Sequence, residues 1–300
     1  MIRERDARVE GPFLSAPAEG LRGSRRTVWG RLSENLLAMA GLAVLVIMLI
    51  MAILAPTIAP YGRDEISYEF TARPSREHLL GTDSVGRDVL TRLIYASRVS
   101  LSVGIAVSAI TVVIGSLMGA VAGYYGGWVD ALVSGLINVL LSIPIIPLAM
   151  VLGAFVRTDL RFVILVLAAL SWVGVARIIR AEFMSLKERE FTLAARVIGV
   201  SDGRIVFRHI LPNTFAPIIV AATLQVAAGI LAESALSYLG YGIQPPTPSW
   251  GNMLQGAQRF FRTDPRLAVY PGILISLAVI SINVFGDGLR DALDPRFRGP

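Results

Sequence analysis

The residue types that carry out hydrolytic, redox or metal chemistry are scarce in this sequence and poorly placed for it. Lys187 is the only lysine, and it does not follow the glycine-rich turn with which a P-loop cradles phosphates. Cysteine is absent, which excludes disulfides, thiolate metal sites and thiol nucleophiles. The two histidines, His78 and His209, do not form a metal cluster with each other or with cysteine. We therefore predict no catalytic residue, no metal site and no cofactor bound by this chain, and no ATP hydrolysis by it through a P-loop.

Long runs without Asp, Glu, Lys or Arg dominate the chain and define its class. Of its 300 residues, 54% are hydrophobic and 17% are charged, and the mean hydropathy is +0.63. The uncharged runs are 35–62, 99–129, 131–156, 162–176, 210–232 and 267–286. All but the fourth reach the ~20 residues that cross ~30 Å of hydrocarbon, and Arg161 and Arg177 can extend the fourth by snorkelling. We predict an all-α polytopic membrane protein with six transmembrane helices.

The basic residues indicate which side each connection occupies. The N-terminal tail, the inner turn, the loop after span four and the C-terminus together carry 17 Lys and Arg, against 11 in the remaining connections. By the positive-inside rule both termini are predicted to be cytoplasmic. We assign residues 1–34 to a disordered cytoplasmic tail, 35–98 to the first span and an external segment, and 99–300 to the other five helices. The excess of arginine fits anionic lipid, because no basic helix with interleaved aromatics suggests nucleic acid.

Three connections carry further predictions. Residues 88–101 have apolar residues at helical spacing and are expected to form an amphipathic helix on the membrane surface, with a solvated loop as the alternative. Pro144 and Pro147 should kink or unwind span three, either along a transport pathway or absorbed by neighbouring helices. Residues 234–258 are uncharged, but glycines and prolines in their middle favour an interfacial hairpin over a seventh span.

Glu233 is the one acid close to a span, near the outer end of span five. An ionisable residue there is a candidate functional residue, for example one that faces the path of a peptide amine. The alternative is an interfacial carboxylate that reaches water or pairs with an arginine. A membrane-embedded enzyme is disfavoured because the uncharged runs hold no His, Asp, Cys or Lys, and a passive channel because no acidic residue or filter-like segment suggests a selectivity ring.

The loop between spans four and five is the segment that most directly indicates a mechanism. Ala194 and Ala195 are small helix formers that would let another protein approach the backbone, and Gly199 suits a helix C-cap. Ser201 or Asp202 suits the N-cap of a second short helix. Pro212 would then mark the point at which the chain re-enters the membrane. A helix, a break and a second helix between two spans are more typical of a docking element for a cytosolic partner than of a connector.

This loop resembles the cytoplasmic signature of the permease subunits of bacterial ABC importers, which is Glu-Ala-Ala, three residues, Gly, nine residues and Ile-x-Leu-Pro. Leu193 stands where the signature has Glu, with Glu190 one turn earlier as the nearest substitute, and His209 stands at the Ile position. Further motifs resemble the six-span subunit of the dipeptide, oligopeptide and nickel transport family. They are HLLGTD at 78–83, GRDVLTR at 86–92, GYYGGWVD at 123–130, LSYLGYG at 236–242, PPTPSWG at 245–251 and GDGLRDALDPR at 286–296. Gly135 and Asn138 depart from the Arg and Asp expected early in span three.

The resemblance implies a type I ABC importer permease fold in a multi-pass protein of the bacterial inner membrane. It implies a second permease subunit in a heterodimer, two cytosolic ABC ATPase subunits that hold ATP and magnesium, and an extracytoplasmic solute-binding protein. The residues implied to couple to the ATPases are Glu190, Leu193, Ala194, Ala195, Gly199, Ser201, Asp202, Ile205, Phe207, Leu211 and Pro212. The candidate substrate-path residues are Glu233, Pro144 and Asn138. The implied solute is a di- or oligopeptide, with nickel or another non-peptide solute as the alternative.

Overall fold

The computed structural model describes residues 28–155 and 159–293, and in these ranges the chain is helical with no named strand. The α-helices are Val28–Glu34 (α1), Leu36–Ile53 (α2), Ala55–Ile58 (α3), Val89–Tyr125 (α4), Gly127–Leu141 (α5), Ile145–Phe155 (α6), Leu160–Lys187 (α7), Glu190–Val197 (α8), Asp202–Ile205 (α9), Leu211–Tyr238 (α10), Trp250–Ala257 (α11) and Arg266–Leu293 (α12). A π-helical turn covers Val206–Ile210, and a 3-10 turn covers Gln258–Phe260.

The number of apolar helices agrees with the predicted all-α membrane fold. Within the described residues, α2, α4, α7, α12 and the continuous helix Asp202–Tyr238 are long and apolar enough to cross a bilayer. The helices α5 and α6 form one further span if they are counted together, although they are bent by 80°. The bend confirms the kink predicted from Pro144 and Pro147, because a proline cannot donate to the helix ladder and its ring displaces the preceding turn.

The central contact of the bundle is between α4 and α7, and three glycines of α4 make it close. Gly115, Gly119 and Gly123 recur at one-turn spacing on the side of α4 that faces α7. A Cβ on Gly119 would lie 2.5 Å from the carbonyl oxygen of Ala176, and one on Gly123 would lie 2.6 Å from that of Arg180. Hydrogen is therefore the only side chain that fits, and the two backbones pack directly against each other, as small residues allow in membrane helices. Around this pair, α10 packs on α4 and α12, and α2 packs on α12.

The helix predicted at residues 88–101 is present, but its prediction as a separate helix on the membrane surface is wrong. These residues begin α4, which runs without interruption to Tyr125. Val89 and Leu93 are buried in one cluster with Ala257 and Leu267, from α11 and α12. Tertiary contacts therefore cover the apolar face that the sequence pattern assigned to lipid.

The connection that precedes α4 is folded back onto the start of that helix. The buried Asp88 caps α4 by accepting from the backbone N–H of Thr91 at 2.7 Å, and its other oxygen lies 3.0 Å from Nδ1 of His78. The ring of Tyr61 lies against the His78 imidazole, with 4.9 Å between centroids. At the same end of the bundle, the Arg266 guanidinium beside Asp264 holds the pKa of that carboxyl below its usual value. The connection before α4 is thus a packed structure rather than a loose loop.

Other predicted connections are partly confirmed. Residues 28–34 were assigned to the disordered tail, but they form α1, which buries Leu32 with Ala292 of α12; the rest of the tail lies outside the described residues. The turn between α4 and α5 is tight, and Gly126 and Gly127 adopt φ of +67° and +54° there. The segment 234–258 is not a seventh span: α10 ends at Tyr238 and the capped helix α11 follows.

Candidate functional site

The loop that follows α7 begins with α8, a short helix that lies outside every candidate span among the described residues. Gly199 ends this helix with φ of +78°, in the left-handed region that favours glycine. The N–H of Gly199 donates to the carbonyl of Arg196 at 3.0 Å, and the N–H of Val200 donates to that of Ala195 at 3.0 Å. This pair of bonds is a Schellman motif in which Gly199 directly follows the C-cap residue Ile198, so the predicted role of Gly199 in ending the helix is confirmed.

One face of α8 is apolar and exposed. Glu190, Leu193, Ala194 and Val197 recur at helical spacing, and each of them is exposed. Val197 is 87% exposed, and Ile198 at the C-cap is 79% exposed. Phe191 is also exposed on this helix. Apolar side chains that are clustered and exposed outside the candidate spans are typical of a surface that contacts another protein or the membrane.

The opposite face of α8 is fixed to the rest of the chain. The Thr192 hydroxyl donates to the carbonyl of Leu186 at 2.8 Å, which ties α8 to the end of α7. Ala195 is buried in one cluster with Phe183 and Ile205. The expectation that the side chain of Ala195 contacts a partner protein is therefore wrong, because residues of this chain already cover it. Its small size instead lets α8 approach the neighbouring helices.

The second helix of the loop differs from the prediction because it is not a separate element. Ser201 occupies the N-cap of α9, as expected, but its side chain makes no capping bond. From Asp202 the helix continues through the π-helical turn into α10. Pro212 lies in the first turn of α10 and lacks an N–H, and the preceding Leu211 donates to the carbonyl of Val206 five residues back. Pro212 therefore widens one turn of a long helix rather than starting a new span.

The remaining predicted coupling residues divide into buried and exposed positions along this continuous helix. Ile205 is fully buried in the cluster with Ala195 and Phe183, and Leu211 packs against the same cluster. Phe207 in the π-helical turn is 72% exposed, and Pro212 is also exposed. The side chain of Asp202 accepts a hydrogen bond from the hydroxyl of Tyr124 at the end of α4. The loop is thus joined to α7 through Thr192 and to α4 through Asp202.

Glu233 occupies neither of the two positions considered from the sequence. It is fully buried, and it accepts hydrogen bonds from the hydroxyls of Ser237 at 2.7 Å and of Ser100 at 3.2 Å. Ser100 in turn accepts from the backbone N–H of Trp250 at 3.1 Å, and Ser237 accepts from that of Ile243 at 3.0 Å. The carboxylate therefore joins α4, α10 and the start of α11. It does not reach water or pair with an arginine in the part of the chain that the structure describes.

The bent pair α5 and α6 presents the other two candidate path residues. Asn138, in the last turn of α5, and Pro144, in the break directly before α6, are both exposed. The start of α5 is held to α7 by an ion pair between Asp130 and Arg180, in which Nη2 of Arg180 donates to Oδ2 of Asp130 at 2.6 Å. The structure does not bring Asn138 and Pro144 together with the buried Glu233.

Sequence reasoning missed three residues of the exposed surface: Phe191, Val197 and Ile198. A signal was present, since these large apolar side chains lie in a charged connection between two spans, where a solvated loop would carry polar residues. Exposure distinguishes the two sides of α8, and it depends on how α8 packs on α7.

An all-α chain with five to six candidate spans among the described residues, and a short helix with exposed apolar side chains between two of them, is typical of a membrane transport subunit. Residues 100–299 match the family described as "Binding-protein-dependent transport system inner membrane component". Residues 25–76 match the "N-terminal TM domain of oligopeptide transport permease C". The chain belongs to this family of inner-membrane transport permeases. It is a multi-pass bacterial inner-membrane protein and a transport subunit, not an enzyme.

Relatives of similar length support the same assignment. The chain is 41% identical over 299 residues to a dipeptide transport system permease protein of Bacillus subtilis, covering 99% of this chain and 90% of the relative. It is 40% identical over 275 residues to a dipeptide transport system permease protein of Alkalihalophilus pseudofirmus, covering 91% and 90%. It is 39% identical over 273 residues to a glutathione transport system permease protein of Escherichia coli, covering 90% of each chain. These similarities confirm the resemblance to the dipeptide and oligopeptide permeases of ABC importers.

Proposed function

We propose that this chain forms half of the translocation path of an ATP-driven importer for di- or oligopeptides. The relatives named as dipeptide and glutathione permeases support a peptide solute. A second, different permease subunit completes the path, and an extracytoplasmic solute-binding protein delivers the peptide. Both termini lie in the cytoplasm. Nickel import by the same machinery is the alternative, and the solute class is tested by uptake of a labelled dipeptide and of nickel ions in the same vesicles.

The exposed apolar face of α8 is the observation that carries the proposed coupling. Val197 and Ile198 are largely exposed on an element outside the candidate spans. Contact of this much apolar surface with water is unfavourable in the absence of a partner. A cytosolic ATPase subunit that covers this face would remove the apolar area from water. Glu190 lies on the same face and supplies the acidic side chain that Leu193 does not.

Force is then transmitted through the two attachments of the loop. When ATP closes the partner ATPases, α8 moves with them because its apolar face is held by the partner. Thr192 passes the displacement to α7, and Asp202 passes it to α4 through Tyr124. The close packing of α4 on α7 makes these helices respond as one body. ATP hydrolysis itself takes place in the partner subunits.

The broken span is the part of this chain that we assign to the translocation path. Asn138, just before the 80° bend, and Pro144, within it, are both exposed. Irregular backbone at membrane depth is tolerated where it lines a cavity or is covered by protein. The second permease subunit provides that cover, and the solute passes between the two bends. Glu233 is not assigned to the path, because its carboxylate is enclosed by serine hydroxyls.

The test of the coupling surface replaces Val197 by Asp and compares it with Leu79→Asp. Leu79 is a similarly exposed apolar residue on a connection outside the candidate spans, but at the opposite end of α4 from the inner loop. Membrane abundance, co-purification of the ATPase subunits and peptide uptake are measured for both variants. We expect Val197→Asp to keep its abundance but to lose most of the co-purifying ATPase and the uptake. Leu79→Asp should retain the ATPase, and Leu193→Glu, which restores the usual family residue, should be tolerated.

The proposed coupling would be contradicted if Val197→Asp accumulated normally and transported peptide at the wild-type rate. The loop would then be only a connector. A Val197→Asp variant with low abundance is compared with Val197→Ser, which removes the apolar contact without adding a charge. If Val197→Ser accumulates normally and still binds the ATPase as the wild type does, the docking role is rejected.

A further inference from the structure

A cavity of about 630 Å³ lies at the end of the molecule opposite the inner loop. Its wall is formed by the connection before α4, the first turn of α4, helix α11 and the 3-10 turn that follows α11. Exposed residues such as Ser84 and Gly256 lie at its edge, so the cavity opens to the surface. Neither the coupling surface nor the broken span includes these residues.

Arg92 is the residue in this cavity whose interactions are incomplete. It is only 4% exposed, and its Nη1 has no hydrogen-bond partner among the described residues. Its closest acid is Asp83, whose Oδ2 lies 3.6 Å from Nε of Arg92, beyond hydrogen-bond distance. A buried guanidinium nitrogen without a hydrogen-bond partner is unfavourable. A ligand that supplies an acceptor to Nη1 would remove that penalty.

Asp83 cannot serve this purpose, because it is already engaged by Arg87. Nε and Nη2 of Arg87 lie 2.9 Å and 2.8 Å from Oδ2 of Asp83. The Asp83 carboxylate also accepts from the backbone N–H groups of Val85 at 2.8 Å and of Arg87 at 3.0 Å. Both oxygens of Asp83 are therefore occupied within its own turn, and Arg92 is left as a second cation beside a pair that is already neutral.

Arg259 adds a third positive charge at the exposed edge of the same cavity. It forms no ion pair with the residues that the structure describes. Asp83 is the single acidic residue of the described wall, so the three arginines leave an excess of positive charge. Gln255, which also lines the cavity, supplies a neutral amide donor. This excess of cationic hydrogen-bond donors over carboxylates suits a small anionic group.

We propose that this cavity is a carboxylate-binding site, in which Arg92 and Arg259 donate to the two oxygens of one carboxylate. The planar guanidinium matches that geometry better than an ammonium group does. The choice of a carboxylate over another anion rests on the proposed function, because a peptide importer meets carboxylates at its outer face. The carboxylate comes either from the peptide solute or from an acidic side chain of the docked solute-binding protein. The site thus selects an acidic group before the solute reaches the bilayer.

The test measures binding to the full-length chain in lipid nanodiscs by calorimetry. The probes are alanyl-alanine, its C-terminal amide and inorganic phosphate, and a second arm measures docking of the importer's solute-binding protein by surface-immobilised kinetics. The variants are Arg259→Gln and Arg92→Lys, with Arg262→Gln as the control. Arg262 is an exposed arginine that does not line the cavity. Arg259→Gln is exposed and should fold normally. A melting temperature is recorded for Arg92→Lys.

A site for the solute carboxylate is supported if the wild type binds alanyl-alanine and two affinities are lower by about tenfold or more. These are the affinity of the wild type for the amide and the affinity of Arg259→Gln for alanyl-alanine. A site for an acidic side chain of the solute-binding protein is supported by a different result. In that case the dipeptide does not bind, and docking of the solute-binding protein is about tenfold weaker in Arg259→Gln but unchanged in Arg262→Gln. The proposal is overturned if Arg259→Gln and a normally melting Arg92→Lys match the wild type in both arms. It is also overturned if phosphate binds as tightly as the dipeptide. The Val197→Asp experiment tests the opposite end of the molecule. If the coupling surface fails that test, evidence for carboxylate binding in this cavity is unaffected.

Discussion

The hydroxyl of Tyr124 donates a hydrogen bond to Oδ1 of Asp202 and joins the last turn of α4 to the first turn of α9. Tyr124 is buried in the cluster that contains Ile205 and Ile210, whereas Asp202 is exposed at the start of the long helix that becomes α10. The bond therefore connects the loop that follows α7 to a helix in the centre of the bundle. Hydrogen bonds to a charged acceptor contribute about 1.5–3 kcal/mol.

Replacing Tyr124 by Phe removes this bond while keeping the buried ring. We expect normal membrane abundance, because the freed Asp202 carboxylate remains in water, but uptake about tenfold slower if ~1.4 kcal/mol of the bond energy acts in the coupled state. Tyr125→Phe is the matched control, since its neighbouring ring is exposed and forms an edge contact with Tyr124. Equal uptake by the two variants would show that the link plays no part in transmission.

The left-handed conformation of Gly199 predicts that even a methyl group is costly there. No atom lies within 4 Å of a Cβ at this position, so the cost comes from the backbone alone, about 1–2 kcal/mol. Gly199→Ala should shift α8 and reduce ATPase co-purification, whereas Gly199→Asn should be tolerated better because asparagine adopts this conformation more readily. Gly203→Ala is the control, because Gly203 is helical and equally open. If Gly199→Ala and Gly203→Ala bind the ATPase equally well, the turn does not set the docking geometry.

The network around Glu233 predicts unequal effects for two neighbouring serines. Ser237→Ala removes the 2.7 Å bond to Glu233 and leaves the N–H of Ile243 without its acceptor, which should cost about 1–3 kcal/mol. Ser234→Ala removes only a contact of 3.5 Å and should cost much less. Thermal unfolding of the purified variants in detergent measures the difference. Unfolding temperatures that fall equally would mean that the network is not what fastens α11 to α10.

The absence of cysteine makes the predicted topology testable on the natural background. We expect Leu79→Cys to react in intact cells with a maleimide that does not cross membranes. Val197→Cys should react only after permeabilisation, and it should be protected when the ATPase subunits are bound. Both residues are exposed, so accessibility depends on the side of the membrane. If Val197→Cys were labelled from outside, the loop would lie on the external side, and a cytosolic ATPase could not reach it.

The sequence by itself determined the class of this protein and most of its helices. Uncharged runs of about 20 residues have few alternatives to spanning a bilayer, because every backbone group must be satisfied within its own helix. The proline pair at 144 and 147 determined the broken span, and Gly199 determined the end of α8. These features depend on local chemistry, such as a missing donor or a left-handed φ. Such features can be predicted from the sequence, because they do not depend on tertiary contacts.

The tertiary structure alone decided which side chains face a neighbour. Residues 88–101 have the pattern of a surface helix, but α11 and α12 cover them, and Glu233 resembles a path residue until serines from two helices enclose it. Ala194 and Ala195 are adjacent and identical in type, yet one is exposed and the other is buried, because α8 packs on α7 at a particular rotation. Contacts of this kind join residues more than a hundred positions apart, such as Ser100 and Glu233. No local pattern records them, because they depend on the angle and distance at which whole helices meet.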